Sequence, residues 1–196
     1  MLSDAQKAAR LGRLTGSRVG CLMRGDETRI LALWRELTGD PGFTPPDLSG
    51  IWAVRLGEMT ETLNLDWYTR TTGRPLTRRG EVVIADRAPW AASTLDGWDA
   101  GPPGPVDAKH VSGFAASKVL LARYAPQMTW QMICTGARWS ALSIIRGARA
   151  PVIEIIPFDE IYAEELWRRA ESFMRAVKNR TKPLVLAPRP FFIKET

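Results

Sequence analysis

The chain has few cysteines and one histidine, and no long apolar run. Two cysteines, Cys21 and Cys134, are too few for a disulfide framework or a four-cysteine metal centre, and the single His110 leaves little for a zinc site. The most apolar stretch is interrupted by Arg146 and Pro151, and no run reaches the ~18 residues that cross a bilayer. The first residues contain no apolar segment typical of a secretion signal. We therefore expect a cytoplasmic protein that is neither secreted nor membrane-embedded.

The composition is that of a globular domain with a basic balance. Its 196 residues are 45% hydrophobic and 24% charged, which suits a single domain with its own core. The 27 Lys+Arg against 21 Asp+Glu give a net charge of +6, which favours a polyanionic partner. Eight tryptophans are either buried packing residues, the commoner use, or stacking surfaces for nucleobases.

Capping signals and periodicity predict a mixed α/β protein. Helices are predicted at about 4–11, 16–23, 27–39, 50–72, 124–136 and 159–180. Strands are predicted at about 81–87, 91–99, 105–111, 139–147 and 151–158, whereas 112–124 is ambiguous. This order favours one domain over 1–196, with a helical part (about 1–73), a sheet-containing core (about 74–160) and a C-terminal helix and tail (about 158–196).

Asp96, Asp107 and Lys109 form the first candidate for chemistry. Alternation along a strand places Asp107 and Lys109 on one face and Ala108 and His110 on the other. A turn in AGPPGP would bring Asp96 close to Asp107. Two carboxylates beside a lysine are unfavourable unless a cation lies between them, and such oxygen ligands suit Mg²⁺ or Mn²⁺. The alternative is an ordinary hairpin with a surface Asp–Lys pair.

The predicted helix 50–72 carries a glutamate within a packing face. Glu61 shares a stripe with Gly57 and Leu65, and its carboxylate needs a partner, such as a metal, if it is buried. The alternative is an exposed helix edge where an arginine pairs with Glu61. We expect the helix to be largely buried because a second stripe is wholly apolar. That stripe consists of Trp52, Leu56, Met59, Leu63 and Trp67.

Two further patterns offer polar groups. Gln127 shares a helix face with Tyr124 and Gln131 and could position a water or a phosphate oxygen, or else simply face solvent. Nearer the N-terminus, Arg10 precedes Ser17 by seven residues. A helix that begins beside Ser17 would point free N–H groups outward, and together with Arg10 these would form a phosphate-sized anion site.

In this order, the segments from about residue 8 to 160 resemble the lambda exonuclease group, the YqaJ-type viral recombinase nucleases of the restriction-endonuclease-like superfamily. RLGRLTGS resembles the family's arginine–serine segment, and GEMTETLNLDWYTRTTG resembles its helix with a glycine followed by a glutamate. STLDGWD resembles the Pro-Asp-Gly segment, VDAKHV the Glu-x-Lys strand, and YAPQMTWQMICTG the tyrosine–glutamine helix. Each segment alone is weak evidence for the family, but the ordered set of five is strong evidence.

The resemblance implies a restriction-endonuclease-like core, a central mixed sheet flanked by helices, and assigns roles to residues. Arg10 and Ser17 would bind the 5′-phosphate of a DNA end, Lys109 would act on the attacking water, and Gln127 would support it. The implied ligands of two Mg²⁺ ions, or of Mn²⁺, are Glu61, Asp96, Asp107 and the Ala108 carbonyl. Three features depart from the family: Asp107 replaces the usual glutamate, Leu95 replaces a proline, and the connection from Asp96 to Asp107 is short.

The activity implied by the resemblance is 5′→3′ digestion of linear double-stranded DNA, leaving 3′ overhangs for a phage-type single-strand annealing protein. A ring trimer around DNA and a phage or prophage gene acting in a bacterial host are implied as well. A DNA channel would be lined by Arg70, Arg74, Arg78, Arg79 and the basic residues within 168–182, unless the latter form a solvated helix face. The rival hypotheses are an endonuclease or repair nuclease of the same fold, and a non-catalytic DNA-binding or annealing protein.

Overall fold

The computed structural model describes residues 3–114 and 116–191. The helices are α1 (Asp4–Arg10), α2 (Gly16–Arg24), α3 (Glu27–Leu37), α4 (Trp52–Thr72), α5 (Ser117–Thr135) and α6 (Glu160–Asn179). The strands are β1 (Leu14–Thr15), β2 (Leu76–Thr77), β3 (Val82–Ile84), β4 (Ala91–Thr94), β5 (Gly97–Ala100), β6 (Pro103–Val111), β7 (Trp139–Arg146) and β8 (Val152–Pro157). Within these described ranges, no helix combines the length and the apolar character needed to span a membrane.

The strands form two sheets. One sheet has the order β1-β4-β3 and the other the order β2-β5-β6-β7-β8. In the larger sheet β6 and β7 are parallel, joined by the crossover helix α5, and the other neighbours are antiparallel. The predicted mixed α/β fold, with a central mixed sheet flanked by helices, is confirmed.

Most predicted helix ends agree with the structure because their signals are local. Ser3 and Gln6 form the capping box of α1, Asp26 caps α3, and Gly73 ends α4 in the left-handed conformation. The segment 112–124, whose structure the sequence left ambiguous, is helical from Ser117, where α5 begins. The two-residue strands β1 and β2 were not predicted, because only pairing with distant segments defines them.

The prediction of a single strand over 91–99 is wrong. The chain passes from β4 in the small sheet to β5 in the large sheet, with Leu95 and Asp96 between them. Leu95 is fully buried, and its backbone N–H donates to the Glu81 carbonyl while its carbonyl accepts from the Gly80 N–H. Tertiary hydrogen bonds therefore break the strand at a point where the polar–apolar alternation continues.

The two faces of the large sheet bury cores of different size. The larger core lies under α2, α5 and α6, where Trp167 stacks on Trp90 and Trp130 with ring centroids 4.9 and 5.6 Å away. These tryptophans are packing residues, in agreement with the commoner of the two interpretations. The smaller core, between α4 and the sheet, consists of Leu65, Tyr68, Val106 and Ala141.

The expectation that α4 is largely buried is wrong. Its second apolar stripe faces outward: Trp52 is 72%, Met59 78% and Leu63 64% exposed. Only the side with Asn64, Leu65 and Tyr68 is buried, because β6 and β7 receive one face of the C-terminal half. Periodicity identifies an apolar stripe, but within the described part of the chain no element lies opposite this one to cover it.

The C-terminal tail after α6 is described as far as Phe191. Phe191 packs edge-on against Tyr162 of α6 with ring centroids 5.0 Å apart, and the Arg189 backbone N–H donates to the Met23 carbonyl at 2.7 Å. The tail thus contacts α2 and α6. Residues 192–196 of the predicted tail lie outside the described residues.

Candidate active site

The structure brings Asp96, Asp107 and Lys109 together at the middle of β6. Asp96 lies just before β5, and its Oδ2 accepts a hydrogen bond from the Ala108 backbone N–H at 2.9 Å. Lys109 Nζ lies 4.0 Å from Asp96 Oδ2 and forms an ion pair with Asp107 Oδ2. His110, the next residue, faces α4, where its Nδ1 is 3.1 Å from the Thr60 hydroxyl. The predicted division of β6 into two faces is therefore present.

These charges are buried, and burial controls their protonation. The Asp107 side chain is fully buried, whereas those of Asp96 and Lys109 are 21% and 22% exposed. Burial raises the pKa of Asp96 well above its usual range, and the charge of Asp107 raises it further. Burial alone would lower the pKa of Lys109, but the two carboxylates outweigh it and raise that pKa. The ammonium group thus compensates an acidic pair that would otherwise repel.

Glu61 lies on α4 at the rim of this group. Its side chain is largely exposed, yet partial desolvation raises its pKa, an effect that the Lys109 charge opposes and the Asp107 charge reinforces. Across residues 3–114 and 116–191, no three histidine, cysteine, aspartate or glutamate side chains are close enough together to form a metal centre by themselves. The compact acidic part of the site is therefore Asp96 with Asp107.

The donor chemistry nevertheless fits Mg²⁺. Asp107 Oδ2 is buried and has no hydrogen-bond partner among the described residues, although it pairs with Lys109. The Ala108 carbonyl oxygen lies 3.3 Å from Lys109 Nζ, so it belongs to the same cluster. Mg²⁺ retains several waters and binds proteins through one or two carboxylates, so this oxygen set is sufficient.

Two glutamines of α5 hold Asp107 from the other side. Gln127 Nε2 donates to Asp107 Oδ1 at 2.7 Å, and Gln131 Nε2 donates to the same oxygen at 3.0 Å. We did not predict a role for Gln131, although its position one turn after Gln127 was a usable signal.

Asn64 of α4 was also missed. Its Nδ2 donates to the carbonyls of Lys109 at 3.2 Å and Ser143 at 2.9 Å, and its Oδ1 accepts from the Ser143 hydroxyl at 2.6 Å. The side chain is 1% exposed, so these bonds attach α4 to β6 and β7 less than one turn from Glu61. A polar residue on the buried face of this helix was the available signal.

The N-terminus of α2 lies against the α5 glutamines. Gly16 begins the helix, and a Cβ at this position would lie 3.1 Å from Ser93 Oγ and 3.4 Å from Gln127 Cγ. The Thr15 side chain does not cap the helix, so it does not occupy the first backbone N–H groups. The exposed Ser17 lies in the same first turn, as the anion-site hypothesis requires.

Arg10 reaches the same region from α1. Its guanidinium donates to the hydroxyls of Thr94 at 3.2 Å and Thr15 at 3.5 Å, and no carboxylate pairs with it within the described part of the chain. Burial lowers the pKa of Arg10, and the charge of Arg18 lowers it further. A half-buried guanidinium with neutral partners is suited to bind an anion.

Arg10 and Ser17 open onto two neighbouring cavities. Arg10 lines a cavity of about 590 Å³, and Ser17 lines one of about 230 Å³. The ion pair of Arg18 with Glu36, 2.5 Å between Nη2 and Oε1, lines both. The two predicted phosphate-binding residues are thus near each other but lie on either side of this ion pair.

Most of the basic residues proposed to line DNA are paired with acids. Arg74 pairs with Asp99, Arg78 with Glu81, Arg79 with Asp66, and Arg168 with Glu165. Such pairing reduces the charge available to phosphates, so a DNA channel lined by these residues stays a prediction.

The chain is similar to known proteins in sequence and in fold. The model of the YqaJ-like viral recombinase domain matches residues 7–138. A structure of LHK-Exo in complex with dAMP is 21% identical with a TM-score of 0.78, covering 91% of this chain and 94% of that one. A second structure of LHK-Exo, described as an alkaline exonuclease from Laribacter hongkongensis, is 20% identical with a TM-score of 0.75 and the same coverages. A phage-related exonuclease from Haemophilus somnus 129PT is 13% identical with a TM-score of 0.69, covering 86% and 94%. The search of curated protein sequences finds no match.

Proposed function

The chain belongs to the family of YqaJ-like viral recombinase domains, and from that premise we propose that it is a Mg²⁺-dependent 5′→3′ exonuclease. Its substrate is linear double-stranded DNA with 5′-phosphorylated ends, and its product carries a 3′ single-stranded overhang. A phage-type single-strand annealing protein receives that overhang during homologous recombination. The viral family favours a phage or prophage enzyme that acts inside a bacterial host.

One observation carries this proposal: the anion site and the acidic site meet on one short segment of chain. Arg10 binds the Thr94 side chain, and Asp96, two residues later, lies beside Lys109. Two residues of chain span at most about 7 Å, a length that one terminal nucleotide can bridge. A 5′-phosphate on Arg10 would therefore place a neighbouring phosphodiester near Asp96 and Asp107. An enzyme that cuts within DNA has no need of such a terminal pocket.

Asp96, Asp107 and the Ala108 carbonyl would hold Mg²⁺, with Glu61 available at the rim for a second ion and Mn²⁺ as a substitute. When bound, the metal supplies a Lewis acid for the phosphate and lowers the pKa of a water. Lys109 Nζ, held between the carboxylates, can orient the attacking water and take part in moving its proton. Gln127 fixes Asp107, and Arg10 with the first turn of α2 binds the terminal phosphate.

The solved relatives support exonuclease over endonuclease activity. LHK-Exo and the Haemophilus somnus protein are exonucleases, and dAMP, bound in one LHK-Exo structure, is the kind of mononucleotide that stepwise digestion releases. We also propose a homo-oligomer, a ring of three copies, which a closed head-to-tail interface can form. Sedimentation equilibrium tests this part, since a monomer at all concentrations would contradict it.

The decisive experiment is digestion of end-labelled DNA with Mg²⁺. Linear duplexes with 5′-phosphate or 5′-hydroxyl ends are compared with a closed circle, for the wild type and for Arg10→Ala. We expect stepwise release of nucleotides from 5′-phosphorylated ends, an intact circle, and a weaker preference for phosphorylated ends in the variant. Cleavage of the circle would favour an endonuclease, and no cleavage at all would favour a DNA-binding protein. Equal digestion of both end types by both proteins would remove the role of Arg10.

A further inference from the structure

Gln131 lies at the junction of the two sheets. Its side chain is fully buried. Its Nε2 donates to Asp107 Oδ1 at 3.0 Å and to the Thr94 carbonyl at 3.4 Å. Asp107 belongs to the five-stranded sheet and Thr94 to the three-stranded sheet. One amide group therefore connects the strand of the acidic site to the strand that contacts Arg10.

We propose that Gln131 is a positioning residue that fixes the Asp107 carboxylate and couples it to the Arg10 anion site through Thr94. This inference rests on the proposed function, because it assumes that Asp107 binds a metal and that Arg10 binds a terminal phosphate. It adds a second glutamine, with a role distinct from that of Gln127, and a reason for the fixed separation of the two sites.

Hydrogen bonds from α5 set the orientation of the Asp107 carboxylate. Gln127 and Gln131 both donate to Oδ1, which fixes the carboxylate plane and leaves Oδ2 directed at Lys109. The Asp107 carboxylate is attached to the backbone through a single methylene, so it has little freedom to adjust and its surroundings set its orientation. Hydrogen bonds to a metal-binding carboxylate orient it and typically change metal affinity by about 10- to 100-fold.

Thr94 is held by hydrogen bonds at two points. Arg10 donates to its hydroxyl and Gln131 to its carbonyl, so a displacement of either partner moves the same residue. Asp96 follows two residues later and is itself bound to the Ala108 N–H. Because these bonds cross between the two sheets, the distance from the phosphate pocket to the metal site depends on them.

Packing alone does not explain a glutamine at position 131. Its Oε1 is buried and has no hydrogen-bond partner within the described residues, and burial of a polar atom without a partner is unfavourable. A methionine would fill the same volume without that penalty. A buried amide that leaves its oxygen unpaired is explained when its N–H groups perform a task, here the hold on Asp107 and Thr94.

The test uses Gln131→Met, which keeps the side-chain length and removes the donors. Its control is Thr129→Val on the same helix, where the buried hydroxyl has no partner among the described residues. Mn²⁺ binding is measured without DNA, by calorimetry or by the electron paramagnetic resonance of free Mn²⁺. The preference for 5′-phosphate over 5′-hydroxyl ends is measured separately as a ratio of kcat/KM values, and circular dichroism checks folding.

We expect Gln131→Met to bind Mn²⁺ at least about 10-fold more weakly than the wild type and to lose much of its end preference, with Thr129→Val unchanged in both. Equal Mn²⁺ affinity in Gln131→Met and wild type would overturn the proposal while leaving the exonuclease assignment intact. Weaker Mn²⁺ binding with an unchanged end preference would overturn the coupling through Thr94. If the wild type itself binds no Mn²⁺, the metal site of the proposed function fails and this inference fails with it.

If Gln131→Met does not fold, the same two measurements are made on Gln131→Asn. Asparagine keeps the amide but is one methylene shorter, so it cannot reach Asp107 and Thr94 together. Unchanged values of both quantities in this variant would overturn the proposal. A loss in both supports it.

Discussion

The helices on the two faces of β6 differ in how deeply they are buried. In α5, which covers Asp107 and Lys109, ten of 19 residues are buried, whereas α4, which carries Glu61, buries three of its 21. The α5 side joins the large core, in which Trp130 of α5 stacks on Trp167 of α6. The α4 side is attached by a small core and by the hydrogen bonds of Asn64.

This difference separates two kinds of constraint. On the α5 side the site and the core share the same helix, so Asp107 is held by side chains that the fold itself fixes. On the α4 side Glu61 stands on a helix whose outer face is exposed, so its position depends on a few polar bonds. We expect changes on the α5 side to affect stability and activity together. On the α4 side we expect both effects where Asn64 attaches the helix to the sheet, and neither effect on the exposed apolar face.

The largest effect is expected from Lys109, and its neighbour His110 on the opposite face of β6 serves as the control. Lys109→Ala removes the ammonium group between Asp96 and Asp107 and should lower the rate of cleavage by at least about 10³-fold while leaving DNA binding nearly intact. The ring of His110 faces Thr60 on α4, so His110→Ala should retain cleavage. Turnover on 5′-phosphorylated linear duplex and a fluorescence binding assay measure the two quantities. Retained cleavage in Lys109→Ala would contradict the site assignment.

The next effect tests the core on the α5 side. Trp130 is fully buried, stacks on Trp167, and donates its indole N–H to the Ala92 carbonyl at 3.0 Å. Trp130→Ala should lower the free energy of unfolding by about 3–5 kcal/mol. Trp52→Ala on the exposed face of α4 is the matched control and should change it by about 0.5 kcal/mol or less. Urea denaturation gives both values, and similar losses in the two variants would refute the contrast.

A smaller effect is expected where α4 is attached to the sheet. Asn64→Ala leaves the Ser143 hydroxyl and the Lys109 carbonyl without this partner and should lower the unfolding free energy by about 1–3 kcal/mol. Cleavage should fall as well, since Glu61 is displaced from the acidic site. Leu63→Ala, the exposed neighbour, should change neither quantity. Full activity of a folded Asn64→Ala would show that Glu61 does not depend on this attachment.

The smallest effect concerns α6, which closes the α5 side. Hydrogen bonds from Arg168, and then from Arg169, lower the pKa of Glu165 to about 2. The carboxylate therefore stabilises the folded state above its unfolded pKa of about 4.3, and this contribution is lost as the pH falls towards 2. Glu165→Gln should be less stable than the wild type by about 1 kcal/mol or less at pH 7. Urea denaturation at several pH values should show this difference shrinking in acid, and a constant difference would contradict the ion-pair explanation.

Part of the site was predictable because it depends on neighbours in sequence. Asp107 and Lys109 share a face through strand alternation alone, whereas the helical stripe wrongly suggested a packing face for Glu61, whose side chain is largely exposed. Gln131 and Asn64 were missed because their importance lies in partners on β4, β6 and β7, which sequence spacing does not reveal.

By itself, the sequence determined the helix boundaries, the alternation within β6 and the order of motifs that places the chain in its family, because capping, alternation and motif order are local properties. Only the tertiary structure decided that the chain crosses between sheets at Leu95 and Asp96 and that the apolar stripe of α4 faces outward. The tertiary structure also decided that Arg10 meets Thr94 beside the acidic site. These features depend on which distant element lies opposite a residue, since burial and hydrogen-bond partners are set by three-dimensional packing and not by periodicity.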